Sequence, residues 1–202
     1  RPLPALTSIP LPARACCPQC ACRKATPLWW ATKAPPSRPS ALCVPLQNLN
    51  LTLFFLGNTP ENKLAEISKA LQSLGANLSP FKLEFNNRLE TFNAKNPARV
   101  VWVGIKSDLA ALQKLQAMIA ATMHRMGFLR TEKTYIPHIT VGRDVRFKEE
   151  YIVEGNNNGM FKGKIPEMLV KNFSLIESRI ADGKRVYKTL AKFDFKLSEK
   201  QE

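Results

Sequence analysis

The first 60 residues of this 202-residue chain contain no aspartate or glutamate. Cysteine is absent after Cys43 and glycine is absent before Gly57, whereas ten of the fifteen prolines lie within the first 45 residues. Prolines at this density interrupt helices and strand ladders, because each proline removes a backbone donor. We therefore predict an irregular or disordered segment over residues 1–43 and one folded domain over residues 44–202.

The chain also lacks a long apolar run. No stretch approaches the roughly 18 uninterrupted apolar residues of a membrane span, and none has the basic start and apolar run of about 7 to 15 residues of a secretory signal. A composition of 45% hydrophobic and 23% charged residues is typical of a globular domain. We expect a cytoplasmic monomer without membrane contact and without disulfides in its folded domain.

Four of the five cysteines form a cluster at Cys16, Cys17, Cys20 and Cys22. Cys17 and Cys20 have the spacing of half a zinc knuckle, but a structural zinc site needs a second ligand pair about a dozen residues away. That pair is missing. We therefore predict no metal and no cofactor, and we interpret the cluster as free thiols.

Positive charge dominates the chain, because 30 lysines and arginines face 16 acidic residues and give a net charge of +14. Such an excess attracts polyanions and speeds their encounter with the protein. Nucleic acid, a phosphorylated substrate or an anionic membrane surface are the candidate partners. A basic surface that serves solubility alone is the alternative.

Periodicity predicts an α+β fold of two similar lobes, each a small sheet backed by a helix. Residues 48–53 alternate polar and apolar side chains, which predicts a strand that places Thr52 and Phe54 on one face. Thr59 and Pro60 predict the start of a helix that Gly75 ends. We predict further strands at residues 81–85, 99–105, 138–143, 172–179 and 185–195, a helix at 107–126 capped by Ser107 or Asp108, a loop at 148–167, and a hairpin turn at Asp182-Gly183.

His138 is one of two histidines in the chain and lies in a Pro-His-Ile-Thr-Val-Gly-Arg stretch. On a strand, His138 and Thr140 share a face while Ile139 is buried behind them. An imidazole two residues from a hydroxyl and five from the guanidinium of Arg143 can hold a phosphate while it moves a proton. For so short a motif, a packed or surface histidine is the alternative, and we interpret His124 as a surface residue.

The segment Asn50-Leu51-Thr52 has the same form as His138-Ile139-Thr140. With this pair of motifs, the sequence resembles the RNA 2′,3′-cyclic phosphodiesterases, once called 2′-5′ RNA ligases, of the two-histidine phosphoesterase superfamily. That family carries one H-x-T/S motif in each of two lobes. The resemblance covers residues 44–197 and includes the apolar strand 100–104, the helix with Leu109, Leu112 and Leu115, and the strand 175–179.

The resemblance implies a bilobal fold in which two small antiparallel sheets, each backed by helices, surround a central cleft. It also implies hydrolysis of 2′,3′-cyclic phosphate RNA ends to 2′-phosphates without a metal, so RNA ends and 2′,3′-cyclic nucleotides are the expected partners. His138 matches the histidine that activates water. The residues that match the phosphate ligands are Thr52, Thr140 and Arg143.

Asn50 departs from the family pattern, because a histidine stands there in the family and protonates the leaving 3′ oxygen. An amide cannot deliver a proton near neutral pH, and the loss of one general acid typically lowers a rate by about 10²- to 10⁴-fold. We therefore predict a phosphate-binding cleft with weak or absent hydrolysis. The alternative is a non-catalytic relative that binds RNA ends or nucleotides.

The start of the chain departs as well, because the family begins with an apolar strand followed by a helix. Pro2 and Pro4 suit at most an edge strand. If that strand is missing, we expect exposed apolar surface on the first sheet. An interaction protein whose Pro- and Arg-rich arm recruits partners, with the folded domain as a scaffold, is a further alternative.

Overall fold

The computed structural model describes residues 2–11, 42–92, 97–106, 109–129, 134–145, 159–160, 165–182 and 184–196. These residues form two α-helices, α1 (Leu64–Gly75) and α2 (Ala110–Arg125). Their strands are β1 (Pro2–Pro10), β2 (Leu42–Cys43), β3 (Asn50–Pro60), β4 (Phe81–Leu83), β5 (Phe85–Thr91), β6 (Ala98–Ile105), β7 (His138–Val145), β8 (Gly159–Met160), β9 (Met168–Val170), β10 (Asn172–Ala181) and β11 (Lys184–Asp194).

Nine of these strands form an antiparallel sheet in the order β11-β10-β1-β3-β7-β6-β5-β8, with β2 also paired to β7. At its centre β3 and β7 share a single residue pair, Leu51 with Ile139, whereas β1 with β3 and β6 with β7 form long ladders. The sheet therefore consists of a first half-sheet (β11, β10, β1 and β3) and a second half-sheet (β7, β6, β5 and β8). This division confirms the predicted bilobal α+β fold.

The core lies beneath the sheet, where the apolar stripes of both helices are buried. α1 packs against β10, β11 and α2, and α2 packs against β3. Gly75 ends α1 as expected. A Cβ at Gly75 would lie 3.3 Å from Phe193 Cβ and from the carbonyl oxygen of Asp194, so the close approach of α1 to β11 favours glycine. The fully buried helix residues are Ile67, Leu71, Leu112, Leu115, Ile119 and Met123.

The predicted start of α1 is wrong. Pro60 is the last residue of β3, and a 3₁₀ turn at Glu61–Lys63 precedes the helix. The buried Thr59 donates its hydroxyl to the carbonyl of Gly57 at 3.2 Å instead of capping a helix. β1 is the reason, because its pairing with β3 reaches Pro60 and holds this stretch in the sheet. The predicted caps of α2 lie outside the described residues.

The prediction of an irregular segment over residues 1–43 is wrong at both ends, because Pro2–Pro10 form β1 between β3 and β10, and Leu42–Cys43 form β2 beside β7. Pairing with β10 extends only from Ala5 to Ser8, and that stretch contains no proline. The missing proline donors therefore fall where β1 has one neighbour, which a sheet tolerates. Residues 12–41, with the cysteine cluster, lie outside the described residues.

β1 also covers the part of the first half-sheet that would expose apolar surface if this strand were missing. The side chains of Ala5, Leu6 and Ile9 are buried, and Ala5 and Ile9 belong to the main core. The first half-sheet is therefore covered along β1, contrary to the exposed apolar surface expected without this strand.

Two short segments differ from the predicted pattern. The strand expected at residues 81–85 divides at Glu84 into β4, which pairs with β9, and β5, which pairs with β6. β8 lies inside the stretch predicted as a loop and pairs with β5. The hairpin prediction is confirmed, because β10 and β11 are joined through Asp182, which has φ +50°.

Candidate active site

The Leu51–Ile139 pair lies at the centre of the candidate site. Both side chains are buried, so the residues on either side of them in each strand point to the opposite, open face. The single pair thus brings the two predicted motifs next to each other. The four side chains of the motifs on the open face are half-buried: Asn50, Thr52, His138 and Thr140.

A cleft of about 330 Å³ lies on this face. Its volume falls at the lower end of the roughly 300 to 1,000 Å³ that is typical of ligand pockets. Of the predicted site residues, Asn50 does not line the cleft, although it is adjacent to residues that do. The predicted residues that line it are Thr52, His138, Thr140 and Arg143.

The imidazole of His138 is held by its own segment. Nδ1 lies 2.7 Å from the carbonyl oxygen of Ile136. Because a carbonyl only accepts, Nδ1 carries the proton and donates it, so in the neutral imidazole the lone pair is on Nε2. Nε2 has no hydrogen-bond partner among the described residues. His138 can therefore accept a proton from a molecule in the cleft.

Two aromatic rings restrict the imidazole further. His138 meets Phe92 edge-on at 5.0 Å between ring centroids and Trp102 at 5.7 Å, and the two aromatic rings stack at 5.3 Å. This wall limits the rotation of the imidazole about its side-chain bonds. The sequence analysis missed Phe92, because β5 is joined to β7 only through β6 and no local pattern reveals that contact.

Like His138, Asn50 donates a hydrogen bond to the backbone carbonyl two residues earlier, but its side chain has no second nitrogen. Its Nδ2 donates to the carbonyl of Asn48 at 2.9 Å, two residues earlier, just as His138 donates to Ile136. Its Oδ1 accepts from the hydroxyl of Thr52 at 3.2 Å. The two motifs therefore share one local geometry, but both polar atoms of the amide are engaged by residues two positions away along the chain.

The candidate phosphate ligands differ in whether their side chains already make hydrogen bonds within the protein. Thr140 and Arg143 make no side-chain hydrogen bond or ion pair within the described part of the chain, whereas Thr52 is bonded to Asn50. Tyr135 adds a link between the motifs, because its hydroxyl donates to the carbonyl of Thr52 at 3.2 Å. The free hydroxyl and guanidinium are suited to bind an anion.

A bulge in β3 brings Phe55 to the cleft in addition to Phe54. The register between β1 and β3 shifts at Leu53, so Phe55 comes to the face of Thr52 and is 44% exposed. Phe54, which simple alternation placed there, is buried and meets His124 edge-on at 5.8 Å. Phe54 nevertheless lines the cleft together with Thr52, so the residue that alternation misplaces is Phe55.

The hairpin of β10 and β11 supplies cleft residues that the sequence analysis did not identify, namely Ser178, Arg185 and Tyr187. The i, i+2 spacing of Arg185 and Tyr187 directly after the hairpin signal could have indicated a shared face. Only the tertiary structure shows that this face borders the cleft.

Within the described residues, no group of three or more His, Cys, Asp or Glu side chains is placed to hold a metal ion. Neither described helix has the length and apolar character needed to cross a membrane.

Comparisons with known proteins agree with this arrangement. A family profile described as the 2′-5′ RNA ligase superfamily matches residues 42–156. An Archaeoglobus fulgidus protein named RNA 2′,3′-cyclic phosphodiesterase is 33% identical over 150 residues, which are 73% of this chain and 80% of that protein. A Thermotoga maritima protein of the same name is 29% identical over 151 residues, 74% of this chain and 76% of that protein. The crystal structure of Escherichia coli LigT complexed with 3′-AMP superposes with a TM-score of 0.70 at 25% identity and covers 96% of this chain and 99% of that chain.

Proposed function

Because the chain belongs to the 2′-5′ RNA ligase superfamily, we propose that its cleft binds RNA ends that carry a 2′,3′-cyclic phosphate and hydrolyses them slowly to 2′-phosphates. The observation that carries this proposal is the meeting of the two motifs at the Leu51–Ile139 pair. The relatives named RNA 2′,3′-cyclic phosphodiesterase support the substrate class.

The cyclic phosphate binds between the motifs. The hydroxyl of Thr140 and the guanidinium of Arg143 line the cleft without partners in the described structure, and both can donate to phosphate oxygens. Thr52 joins them by exchanging its bond to Asn50 for one to the phosphate. The net charge of +14 favours the encounter with an anionic RNA end.

His138 acts as the general base. Its Nε2 takes a proton from water while the water oxygen attacks phosphorus, and the bond from phosphorus to the 3′ oxygen breaks. The bond to the 2′ oxygen remains, so the product is a 2′-phosphate with a free 3′ hydroxyl. The anchored Nδ1 and the aromatic wall keep the imidazole oriented during this step.

The departing 3′ oxygen must receive a proton, and Asn50 cannot supply one. That proton comes from solvent, so turnover is about 10²- to 10⁴-fold slower than with an acid at this position. The engagement of both polar atoms of the Asn50 amide favours a second candidate function, namely binding of RNA ends without hydrolysis.

The test is incubation of the parent protein and of Asn50→His with a short RNA that ends in a 2′,3′-cyclic phosphate. A histidine at position 50 can donate from Nδ1 to the carbonyl of Asn48, as His138 does to Ile136, and present Nε2 to the leaving oxygen. We expect 2′-phosphate to form about 10²- to 10⁴-fold faster in the variant.

A folded Asn50→His protein that is as inert as the parent would contradict the assignment of the cleft. His138→Ala in the parent background separates the two candidate functions. Residual hydrolysis that disappears with His138 supports the enzyme, whereas binding without any product in the parent supports the binding protein.

A further inference from the structure

We infer that the β10–β11 hairpin forms a second phosphate subsite in the same cleft, which binds the phosphodiester on the 5′ side of the terminal nucleotide. The preferred ligand is then an oligonucleotide end of at least two nucleotides, which binds more tightly than a mononucleotide. This inference rests on the proposed function and adds a length preference to it.

The subsite consists of Arg185, Ser178 and Tyr187, which share one face of the hairpin and line the cleft. Ser178 pairs with Tyr187 across the two strands, and Arg185 lies two residues before Tyr187. Arg185 Nη1 donates to the hydroxyl of the buried Ser178 at 2.7 Å, which orients the guanidinium. An oriented guanidinium that lines the same cleft as a tyrosine can supply the donors that a phosphodiester needs.

Arg185 carries a charge that no described acidic residue neutralises. No carboxylate of the described chain forms an ion pair with it, and its one side-chain bond is to a neutral hydroxyl. The neighbouring Glu177 and Arg179 lie on the opposite face of β10. An unpaired cation that lines a cleft is a site for an anion.

The backbone ties Arg185 to the first motif. The side-chain amide of the buried Asn48 donates to the carbonyl of Arg185 at 2.7 Å, and the carbonyl of Asn48 accepts from Asn50 at 2.9 Å. Position 50 corresponds to the side of the leaving 3′ oxygen, so the ribose that carries this oxygen extends over the first half-sheet. Its 5′ phosphate then lies toward Arg185.

The cleft surface between the cyclic phosphate and the proposed second phosphate is suited to bind a nucleotide. Phe55 pairs with Leu6 of β1, and both line the cleft. Phe55 exposes 44% of its surface there. Exposed aromatic rings next to arginine are the usual platform for bases of single-stranded RNA.

The test compares the binding of two product-like ligands, adenosine 2′-phosphate and the dinucleotide ApA with a terminal 2′-phosphate, by calorimetry at several salt concentrations. These ligands bind without turnover, so the low activity of the parent does not limit the measurement. We expect the dinucleotide to bind about tenfold more tightly, since one charge-assisted contact is added. Its log Kd should also depend more steeply on log salt, by about 0.7, for the additional phosphate.

Arg185→Gln should remove most of the dinucleotide advantage and the added salt dependence, and Arg185→Lys should keep the salt dependence. The matched control is Arg179→Gln, an exposed arginine on the other face of the same hairpin, which should bind both ligands like the parent.

Equal binding of the two ligands by the parent would overturn the subsite and leave the proposed function standing. An unchanged dinucleotide advantage in folded Arg185→Gln, or an equal loss in Arg179→Gln, would overturn it too. Failure of the parent to bind either ligand would overturn both proposals.

Discussion

β3 and β7 have the same local arrangement, and one functional group distinguishes them. In each strand a side-chain nitrogen donates to the carbonyl two residues earlier, from Asn50 to Asn48 and from His138 to Ile136. The imidazole keeps a second nitrogen for chemistry, whereas the second polar atom of the amide is occupied by Thr52. The difference shows that the fold of a motif and its proton chemistry depend on separate atoms.

The largest expected effect is the loss of His138 in a variant that already carries a histidine at position 50. In Asn50→His, the further change His138→Gln should lower the hydrolysis of a 2′,3′-cyclic phosphate RNA by about 10²- to 10⁴-fold, because the general base is lost. Single-turnover rates measure this effect. His124→Gln is the matched control, since His124 is exposed on α2 and does not line the cleft. Equal losses of rate in His138→Gln and His124→Gln would show that His138 is not the general base.

The next largest effect concerns the stability of the buried contact between β3 and β7. Leu51→Ala and Ile139→Ala should each lower the free energy of unfolding by about 2 to 5 kcal/mol, since each removes a buried side chain at the junction of the half-sheets. Urea unfolding measures both losses. Leu169→Ala, at a position 49% exposed, should change stability by at most about 0.5 kcal/mol. A large loss at one junction residue only would show that the two strands are not equivalent in packing.

Local patterns in the sequence were sufficient to predict both strands of this comparison and the elements around them. Alternation identified β3 and β7, helical periodicity identified the buried stripes of α1 and α2, and Asp182 marked the hairpin. These features depend on neighbours along the chain. The residues predicted for the second motif also line the cleft, because one strand places His138 and Thr140 on the same face.

Features that depend on distant pairing were not predictable from local patterns. β1 fits between β3 and β10 although three prolines lie in it, and its register with β3 includes the bulge at Leu53 that brings Phe55 to the cleft. The same register draws Thr59 into the sheet. Arg185 lines the cleft because β11 pairs with β10 and accepts a hydrogen bond from Asn48, contacts that join distant parts of the chain.

A smaller effect should separate the two threonines. Thr140→Val should weaken the binding of adenosine 2′-phosphate by up to about tenfold, because a free hydroxyl donor is lost. Thr52→Val should weaken it less, since the Thr52 hydroxyl must first leave Asn50 to reach a phosphate. Calorimetry with the two isosteric variants measures the difference. A stronger effect at Thr52 would mean that its bond to Asn50 does not compete with the ligand.

The smallest expected effect concerns the contact between the motifs. Tyr135→Phe removes the hydrogen bond from the Tyr135 hydroxyl to the carbonyl of Thr52, a half-buried bond whose loss should lower the free energy of unfolding by about 0.5 kcal/mol. Thermal unfolding and the hydrolysis rate in the Asn50→His background measure its consequences. The rate should change far less than in His138→Gln, because His138 keeps its own bond to Ile136. A loss of rate as large as that of His138→Gln, at unchanged stability, would instead show that the Tyr135 hydroxyl takes part in proton transfer. The side chains of β3 and β7 would then not be sufficient to explain the hydrolysis.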